Sequence, residues 1–190
     1  MSLNVEVATL YRPMPGEKAC GDRALSWSSG DRLLVAVIDG LGHGPFAALA
    51  AEAAVDFIAA NRDLDLEPLF SGCSDALRST RGAVMTVVQV NQETGEAWHA
   101  AIGNVEARIH GSGDVPLITT PGVVGARMRR LRVRPFELRP GSTMIVHTDG
   151  ISSRFPFERM LRRRAASVAE ELIRDYAKEH DDAGCAVIVS

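Results

Sequence analysis

The sequence lacks the features that mark a membrane protein or a secreted one. No apolar run approaches the roughly 20 residues that a membrane-spanning helix needs. The start of the chain has neither the charged region nor the apolar stretch of a secretory signal. The three cysteines, Cys20, Cys73 and Cys185, form no C-x-x-C pair and no disulfide framework. These absences predict a cytoplasmic protein without a membrane partner, in which Cys73 and Cys185 are buried free thiols.

A strong excess of charge of one sign is also missing. The formal net charge is −3, which gives no reason to expect nucleic acid as a partner. No internal repeat, low-complexity tract or domain boundary divides the chain, so residues 1–190 are expected to form one domain. Apolar residues make up 46% of the sequence, which is enough for a sizeable core.

Residues 33–51 combine three features that suggest a binding site. The apolar run Leu33–Ile38 is typical of a buried strand and ends on Asp39. A glycine-rich turn, residues 40–44, follows, and Pro45 opens an alanine-rich helix. An acid at a strand end can hold a cation, and glycines allow the backbone to approach a ligand. The same pattern also fits an ordinary strand-to-helix turn. Within the helix, helical spacing predicts this buried stripe: Phe46, Ala50, Ala53 and Phe57. In the second predicted helix, the residues expected to face inward are Leu69, Phe70, Cys73 and Leu77.

The order of the predicted elements favours an α+β fold. We predict strands near residues 5–9, 24–28, 32–38, 82–90, 96–102, 105–110, 115–119, 131–138, 142–148 and 185–189, and helices near residues 45–61, 66–78 and 165–179. Consecutive strands with short turns imply antiparallel pairs, including hairpins around residues 91–95 and 139–141. Helices confined to the middle and the end favour a sandwich over alternating β-α-β units.

Acidic residues stand beside several of the predicted strands. Asp39 and Asp149 end apolar strands, Asp181 precedes the last one, and Asp22 follows Gly21 in a loop that leads into a strand. Carboxylates at strand ends can converge at one edge of a sheet, and clusters of oxygen ligands suit Mg²⁺ and Mn²⁺. For each acid taken alone, simple termination of a strand is the favoured interpretation.

Taken in order, these segments resemble the motifs of a known enzyme family. They are Gly21-Asp22, Asp39 to Gly44, Arg81-Gly82-Ala83, Ala101 to Arg108, Pro140 to Ile151, and Asp181-Asp182-Ala183. The family is that of the type 2C (PPM) metal-dependent protein serine/threonine phosphatases, in the bacterial branch that contains SpoIIE and RsbX. The compact length and residues 121–125 are similar to the RsbX-like stressosome phosphatases. The resemblance implies a two-layer antiparallel β-sandwich flanked by helices, α-β-β-α.

The resemblance also implies a site with two divalent cations, Mn²⁺ or Mg²⁺. Asp39 would bridge both cations, Asp149 and Asp181 would complete one shell, and Asp22 with the Gly40 carbonyl would hold the other cation. Asp39 and Asp149 would act through a water that the cations activate, which hydrolyses phosphoserine or phosphothreonine. The implied partner is a phosphorylated regulatory protein, either a stressosome scaffold protein or an anti-sigma antagonist.

The chain departs from the family pattern at two positions near these motifs. Leu41 stands where many relatives have a histidine, which favours a structural role for His43 over that of a general acid. Asn104 stands where many relatives have an aspartate that is tied to a third cation, which puts such a cation in doubt.

A group of arginines is a candidate for partner binding. Arg127, Arg129 and Arg130 lie close together in the sequence and could bind phosphate or an acidic surface through their guanidinium forks. A solvated edge strand is the alternative interpretation. Two other functions stay open: a phosphatase-fold binding module of low activity, and a nucleotide-binding loop at residues 40–44. That loop lacks the Gly-Lys-Ser/Thr ending of a P-loop.

Overall fold

The computed structural model describes residues 3–190, so that Met1 and Ser2 lie outside the described residues. The strands are β1 (Glu6–Arg12), β2 (Asp22–Ser29), β3 (Arg32–Gly40), β4 (Ala83–Asn91), β5 (Glu96–Ile102), β6 (Glu106–His110), β7 (Arg134–Glu137), β8 (Thr143–His147) and β9 (Ala183–Val189). The helices are α1 (Pro45–Ala60), α2 (Leu66–Ala76) and α3 (Ala165–Glu171), with a 3₁₀ turn at Phe157–Met160 and a π-helical turn at Leu172–Tyr176. None of the described helices is long and apolar enough to cross a membrane.

The strands form two antiparallel sheets. One has the order β1-β9-β8-β6 and the other the order β2-β3-β4-β5-β7. Helices α1 and α2 pack on the five-stranded sheet, and α3 packs on the four-stranded one. The α+β prediction, a two-layer antiparallel β-sandwich flanked by helices, is therefore confirmed.

Strand β3 is buried on both faces, which explains its unbroken apolar run. Leu34, Ala36 and Ile38 face the helices α1 and α2 in one core cluster. Val35 and Val37 alternate with them and face the second sheet in another cluster. A strand between a helix layer and a second sheet has no solvent face, so every position favours an apolar residue.

The buried face of α1 is made of small side chains, and here the predicted stripe is partly wrong. Ala47, Ala50, Ala51 and Ala54 are buried, whereas Phe46 is 62% exposed. The helix starts so close to the sheet that a Cβ atom at Gly40 would collide with the Ala47 backbone carbonyl. Only alanine-sized side chains fit at such a distance in the first turns of the helix, where the phenylalanine turns outward, whereas the larger Ile58 is buried near the other end. In α2, by contrast, the predicted inward residues Leu69, Phe70, Cys73 and Leu77 are all buried.

The strand predictions were wrong at two places between β6 and β8. Residues 115–119 form no strand, and only Thr120 makes an isolated bridge, with Ile102. The predicted hairpin around residues 139–141 does not form, because β7 pairs with β5 while β8 pairs with β6 and β9. The turn carries the chain from one sheet to the other. A hairpin turn and a turn that connects two sheets contain similar residues, so contacts with strands distant in the sequence decide the pairing.

The last helix is shorter than predicted. Regular α-helix ends at Glu171, the π-helical turn ends at Tyr176, and Ala177 is extended with φ −73° and ψ 134°. Ala177 forms a bridge with Ile151, and the Lys178 N–H donates to the Gly150 carbonyl at 2.8 Å. The backbone after Tyr176 is therefore paired with the segment after β8, which stops the helix before residue 179.

Candidate metal centre

The hairpin of β2 and β3 brings two of the predicted acids together. In its antiparallel register Asp22 lies directly opposite Asp39. The Gly40 N–H donates to the Gly21 carbonyl at 2.9 Å, which joins the two segments beyond the acids. Opposed residues on neighbouring strands have Cβ atoms about 5 Å apart, so these carboxylates share one end of the sheet.

The next acid, Asp149, follows strand β8 of the other sheet. The Thr148 hydroxyl donates to Asp22 Oδ2 at 2.6 Å, and the Gly184 N–H donates to the same hydroxyl at 3.0 Å. This small network links the end of β8, the start of β9 and the acid on β2. Asp149 follows Thr148 directly and accepts a hydrogen bond from the Asn104 side-chain amide at 2.8 Å.

Asp182 has a role that the sequence did not reveal. It is buried, and its two carboxylate oxygens accept the backbone N–H groups of Gly21 at 2.6 Å and of Met14 at 2.7 Å. The residue therefore anchors the loop that leads to Asp22. Adjacent acids such as Asp181 and Asp182 are equivalent in a sequence pattern, and only the backbone donors nearby distinguish the anchor from its neighbour.

The acids at this edge raise one another's pKa. Burial raises the pKa of Asp22 to about 8, with the charge of Asp39 as the next cause. The pKa of Asp39 rises to about 7, first through burial and then through the charges of Asp149 and Asp181. The pKa of Asp181 is also raised, first by burial and then by the charge of Asp149. Because these pKa values depend on the charges of the neighbouring acids, the four carboxylates lie close enough to interact electrostatically.

Lys178 partly offsets the raised pKa of Asp181, but no salt bridge among the described residues compensates the group. Among residues 3–190, none of the four acids takes part in an ion pair with lysine, arginine or histidine. Asp22 is buried and Asp39 partly buried, whereas Asp149 is exposed. Burial of a charged carboxylate without a positive partner carries a cost, which bound cations would remove. Purely oxygen donors suit Mg²⁺ and Mn²⁺, so the donor set fits the predicted cations. No three His, Cys, Asp or Glu side chains of the described part already stand as a ligand set for one ion.

Gly40 has a packing role whatever binds beside it. A Cβ atom at this position would collide with the Ala47 carbonyl, and the Gly40 carbonyl itself lies 3.4 Å from the Cβ position of Gly21. The glycine is therefore required for α1 to begin against the end of β3. Its carbonyl lies between the two acidic segments, which is compatible with the predicted ligand role.

The loop that carries the arginine group begins at the same end of the five-stranded sheet. Val124 forms a bridge with Ala83, which itself pairs with Gly40. The loop that continues from Val124 carries the exposed side chains of Arg127, Arg129 and Arg130. Within the described chain these arginines form no ion pair. Sequence spacing alone could not show that this loop begins beside the end of β3, because the bridge between Val124 and Ala83 sets its position.

The remaining candidates do not join the acidic group. His43 is exposed on the glycine turn. The three cysteines are free and buried, and burial raises each thiol pKa to about 12. A pocket of ≈ 360 Å³ is lined by Asp149 itself together with Glu106, His147, Ser152, Ser153, Arg154 and Lys178, among others.

Comparison with known proteins agrees with this arrangement. The family described as Stage II sporulation protein E (SpoIIE) matches residues 29–189. Phosphoserine phosphatase RsbX of Bacillus subtilis (strain 168) is 27% identical over 139 residues, which are 72% of this chain and 70% of RsbX. A solved chain from work on the bacterial stressosome, "a modular system that has been adapted to control secondary messenger signaling", is 31% identical with a TM-score of 0.90, covering 97% of this chain and 99% of that one.

A crystal structure of RsbX in complex with magnesium has a TM-score of 0.85 at 22% identity, covering 97% of this chain and 94% of that one. The PP2C phosphatase domain of SpoIIE from Bacillus subtilis has a TM-score of 0.78 at 17% identity, covering 99% of this chain and 63% of that one. These likenesses confirm the predicted fold. From the match over residues 29–189 it follows that the chain belongs to the SpoIIE family of PP2C-type phosphatases.

Proposed function

We propose that the chain is a metal-dependent protein phosphatase that removes phosphate from serine or threonine of a regulatory protein. The observation that carries the proposal is the pair Asp22 and Asp39, which face each other without a positive partner at one end of the sandwich. Family membership supports a phosphatase, and the relative named a phosphoserine phosphatase supports serine as the phosphorylated residue.

The proposed ligands of two divalent cations are Asp22, Asp39, Asp149, Asp181 and the Gly40 carbonyl. The donor chemistry suits either Mg²⁺ or Mn²⁺, and a structural relative is described in complex with magnesium. Bound cations of this kind act as Lewis acids that lower the pKa of water and offset the charge of phosphoryl oxygens.

The residues of the chain would position this centre. Thr148 holds the Asp22 carboxylate, Asn104 holds that of Asp149, and Asp182 fixes the loop before Asp22. A cysteine nucleophile is excluded as the basis of the reaction, because all three thiols are buried with a pKa of about 12. Water is therefore the nucleophile that this site favours.

The proposal is tested by hydrolysis of an aryl phosphate in the presence and absence of Mn²⁺. Wild type should require the cation, and Asp39→Asn should lower kcat/KM by on the order of 100-fold or more, since loss of even an outer-shell partner costs 10- to 100-fold. Asp56→Asn, at an exposed position on α1, is the matched control and should retain activity. Hydrolysis that is independent of metal, or equal in Asp39→Asn, would refute the proposal.

We further propose that the partner is a cytoplasmic phosphoprotein, either a stressosome scaffold protein or an anti-sigma antagonist. The structural relative from work on the bacterial stressosome supports this choice, and three free thiols fit a reducing compartment. Arg127, Arg129 and Arg130 are the proposed binding group, because they are exposed, form no ion pair in the described structure, and lie on a loop that begins beside the end of β3.

Charge reversal in the arginine group tests that role. Arg129→Glu combined with Arg130→Glu should lower the ratio of kcat/KM for the phosphoprotein to that for an aryl phosphate by about 10-fold, because contacts of charged groups are worth about 1.5–3 kcal/mol. Arg62→Glu combined with Arg139→Glu makes the same change of charge at exposed positions distant from the acidic edge. An equal ratio in both double variants would contradict recruitment by this loop.

A further inference from the structure

The first turn of α1 exposes two large apolar side chains. Phe46 is 62% and Leu49 is 55% exposed, and they are the two most exposed large hydrophobic residues of the described chain. They are three positions apart in a helix, so both lie on the same outward face. Apolar groups concentrated at one place on a surface commonly mark an interaction site.

This face borders the proposed metal centre. Helix α1 begins at Pro45, directly after the glycine turn that follows Asp39. The backbone of Ala47 is in close contact with Gly40, so the start of the helix is packed against the end of β3. A protein segment that brought a phosphorylated side chain to Asp39 would therefore pass next to Phe46.

Arg81 adds a positive charge to the same face. Its guanidinium lies 4.9 Å from the centre of the Phe46 ring, and Nη1 lies 2.8 Å from the position of a Cβ atom at Gly42. The side chain is thus held between the glycine turn and the ring, in a cation–π contact. Within residues 3–190 no carboxylate forms an ion pair with Arg81, and the first turn of α1 contains no acidic residue.

We propose that Phe46, Leu49 and Arg81 form a docking surface for the phosphorylated segment of the substrate protein. An apolar side chain near the phosphoserine would pack on Phe46 and Leu49, and Arg81 would bind an anionic group of the same segment. The charge of an unpaired arginine is complementary to a phosphorylated segment, and the surface is continuous with the proposed metal centre. This inference rests on the proposed function and adds a sequence preference to it.

A pair of phosphoserine peptides tests the preference with the full chain. The peptides are identical except that one carries leucine, and the other serine, at the positions within three residues of the phosphoserine. Wild type with Mn²⁺ should hydrolyse the leucine peptide with a kcat/KM about 10-fold higher, as expected for burial of one apolar side chain at about 1.5 kcal/mol. Phe46→Ala and Leu49→Ala should each bring that ratio towards one, and Phe46→Leu should keep part of it.

The role of Arg81 has its own readout. Arg81→Gln should lower kcat/KM for a peptide with aspartate near the phosphoserine more than for the same peptide with asparagine.

Leu64→Ala is the matched control for the Phe46 and Leu49 variants, because Leu64 is 37% exposed and follows the opposite end of α1. Leu64→Ala should leave the leucine-to-serine ratio at its wild-type value.

The outcomes separate this inference from the proposed function. If wild type hydrolyses neither aryl phosphate nor peptides with Mn²⁺, the proposed function fails. If wild type is active but shows no leucine preference, or if Phe46→Ala and Leu49→Ala keep it, the docking surface is overturned while the phosphatase stands. If light scattering shows a dimer that Phe46→Ala converts to a monomer, the surface joins two copies of the chain, which also overturns the inference.

Discussion

Replacement of Asp39 by asparagine should stabilise the protein without metal and weaken its response to divalent cations. Asp39 lies opposite Asp22 and within reach of the charges of Asp149 and Asp181. In the absence of cations burial disfavours the charged form of Asp39, and the neighbouring carboxylates add repulsion, so the folded state carries a cost that the unfolded chain does not. An amide of nearly the same shape removes one charge and keeps the packing.

The magnitude follows from the pKa of Asp39, which is raised from 3.8 to about 7. A carboxyl group with a raised folded-state pKa stabilises the fold while it is protonated, below the unfolded value of 3.8, and that stability is lost as pH rises through 7. A shift of this size corresponds to an upper limit of about 4 kcal/mol at pH 8. The difference between variant and wild type should shrink steadily as pH is lowered from 8 to 4.

Denaturant unfolding in the presence of a chelator measures this difference. Asp39→Asn should have the higher free energy of unfolding at pH 8, and addition of Mg²⁺ or Mn²⁺ should stabilise wild type more than the variant. Asp56→Asn, at an exposed site on α1, should match wild type in both conditions. A variant that is less stable than wild type at pH 8 without metal would refute the idea that burial and repulsion leave an uncompensated charge at this edge.

Three other variants test separate parts of the structure. Gly40→Ala should lower the free energy of unfolding by about 3 kcal/mol, because its Cβ atom would collide with the Ala47 carbonyl. A wild-type free energy of unfolding in denaturant would contradict that packing. Thr148→Val removes the hydroxyl that donates to Asp22 at 2.6 Å and should weaken Mg²⁺ or Mn²⁺ binding about 10-fold in a calorimetric titration, whereas unchanged affinity would exclude a supporting role. His99 is fully buried with a pKa lowered to about 4 by burial, so the unfolded state binds the proton more readily and stability is lost as pH falls from 6.5 to 4. The loss should reach about 3 kcal/mol and should be absent in the pH profile of His99→Gln, while parallel profiles would disprove it.

The local sequence pattern was sufficient to predict several helices and strands. The hairpin of β4 and β5 forms around the predicted turn, with Ala97 opposite Val90, because alternation and a glycine-containing turn act over neighbouring residues. Helix α2 buries the predicted stripe, since helical spacing alone determines which side chains share a face. The position of Asp39 at the end of a buried strand is likewise a local property of the sequence.

Contacts between residues distant in the sequence could not be predicted in the same way. The turn at residues 139–141 has the composition of a hairpin but connects two different sheets. Phe46 has the spacing of a buried residue, yet close packing at Gly40 admits only alanine-sized side chains beneath the first turns of α1, and the ring turns outward. In each case the deciding contact involves another element, about which local spacing carries no information.

By itself, the sequence determined which acids adjoin strands, which helix faces are apolar and which family motifs occur in order. Only the tertiary structure decided that Asp22 lies opposite Asp39, that Thr148 links the edges of both sheets, and that Asp182 serves as the anchor of a loop. The physical reason is that repulsion between carboxylates depends on their distance and burial. Strand register and the packing of the two sheets set both quantities, and they arise between segments far apart in the chain.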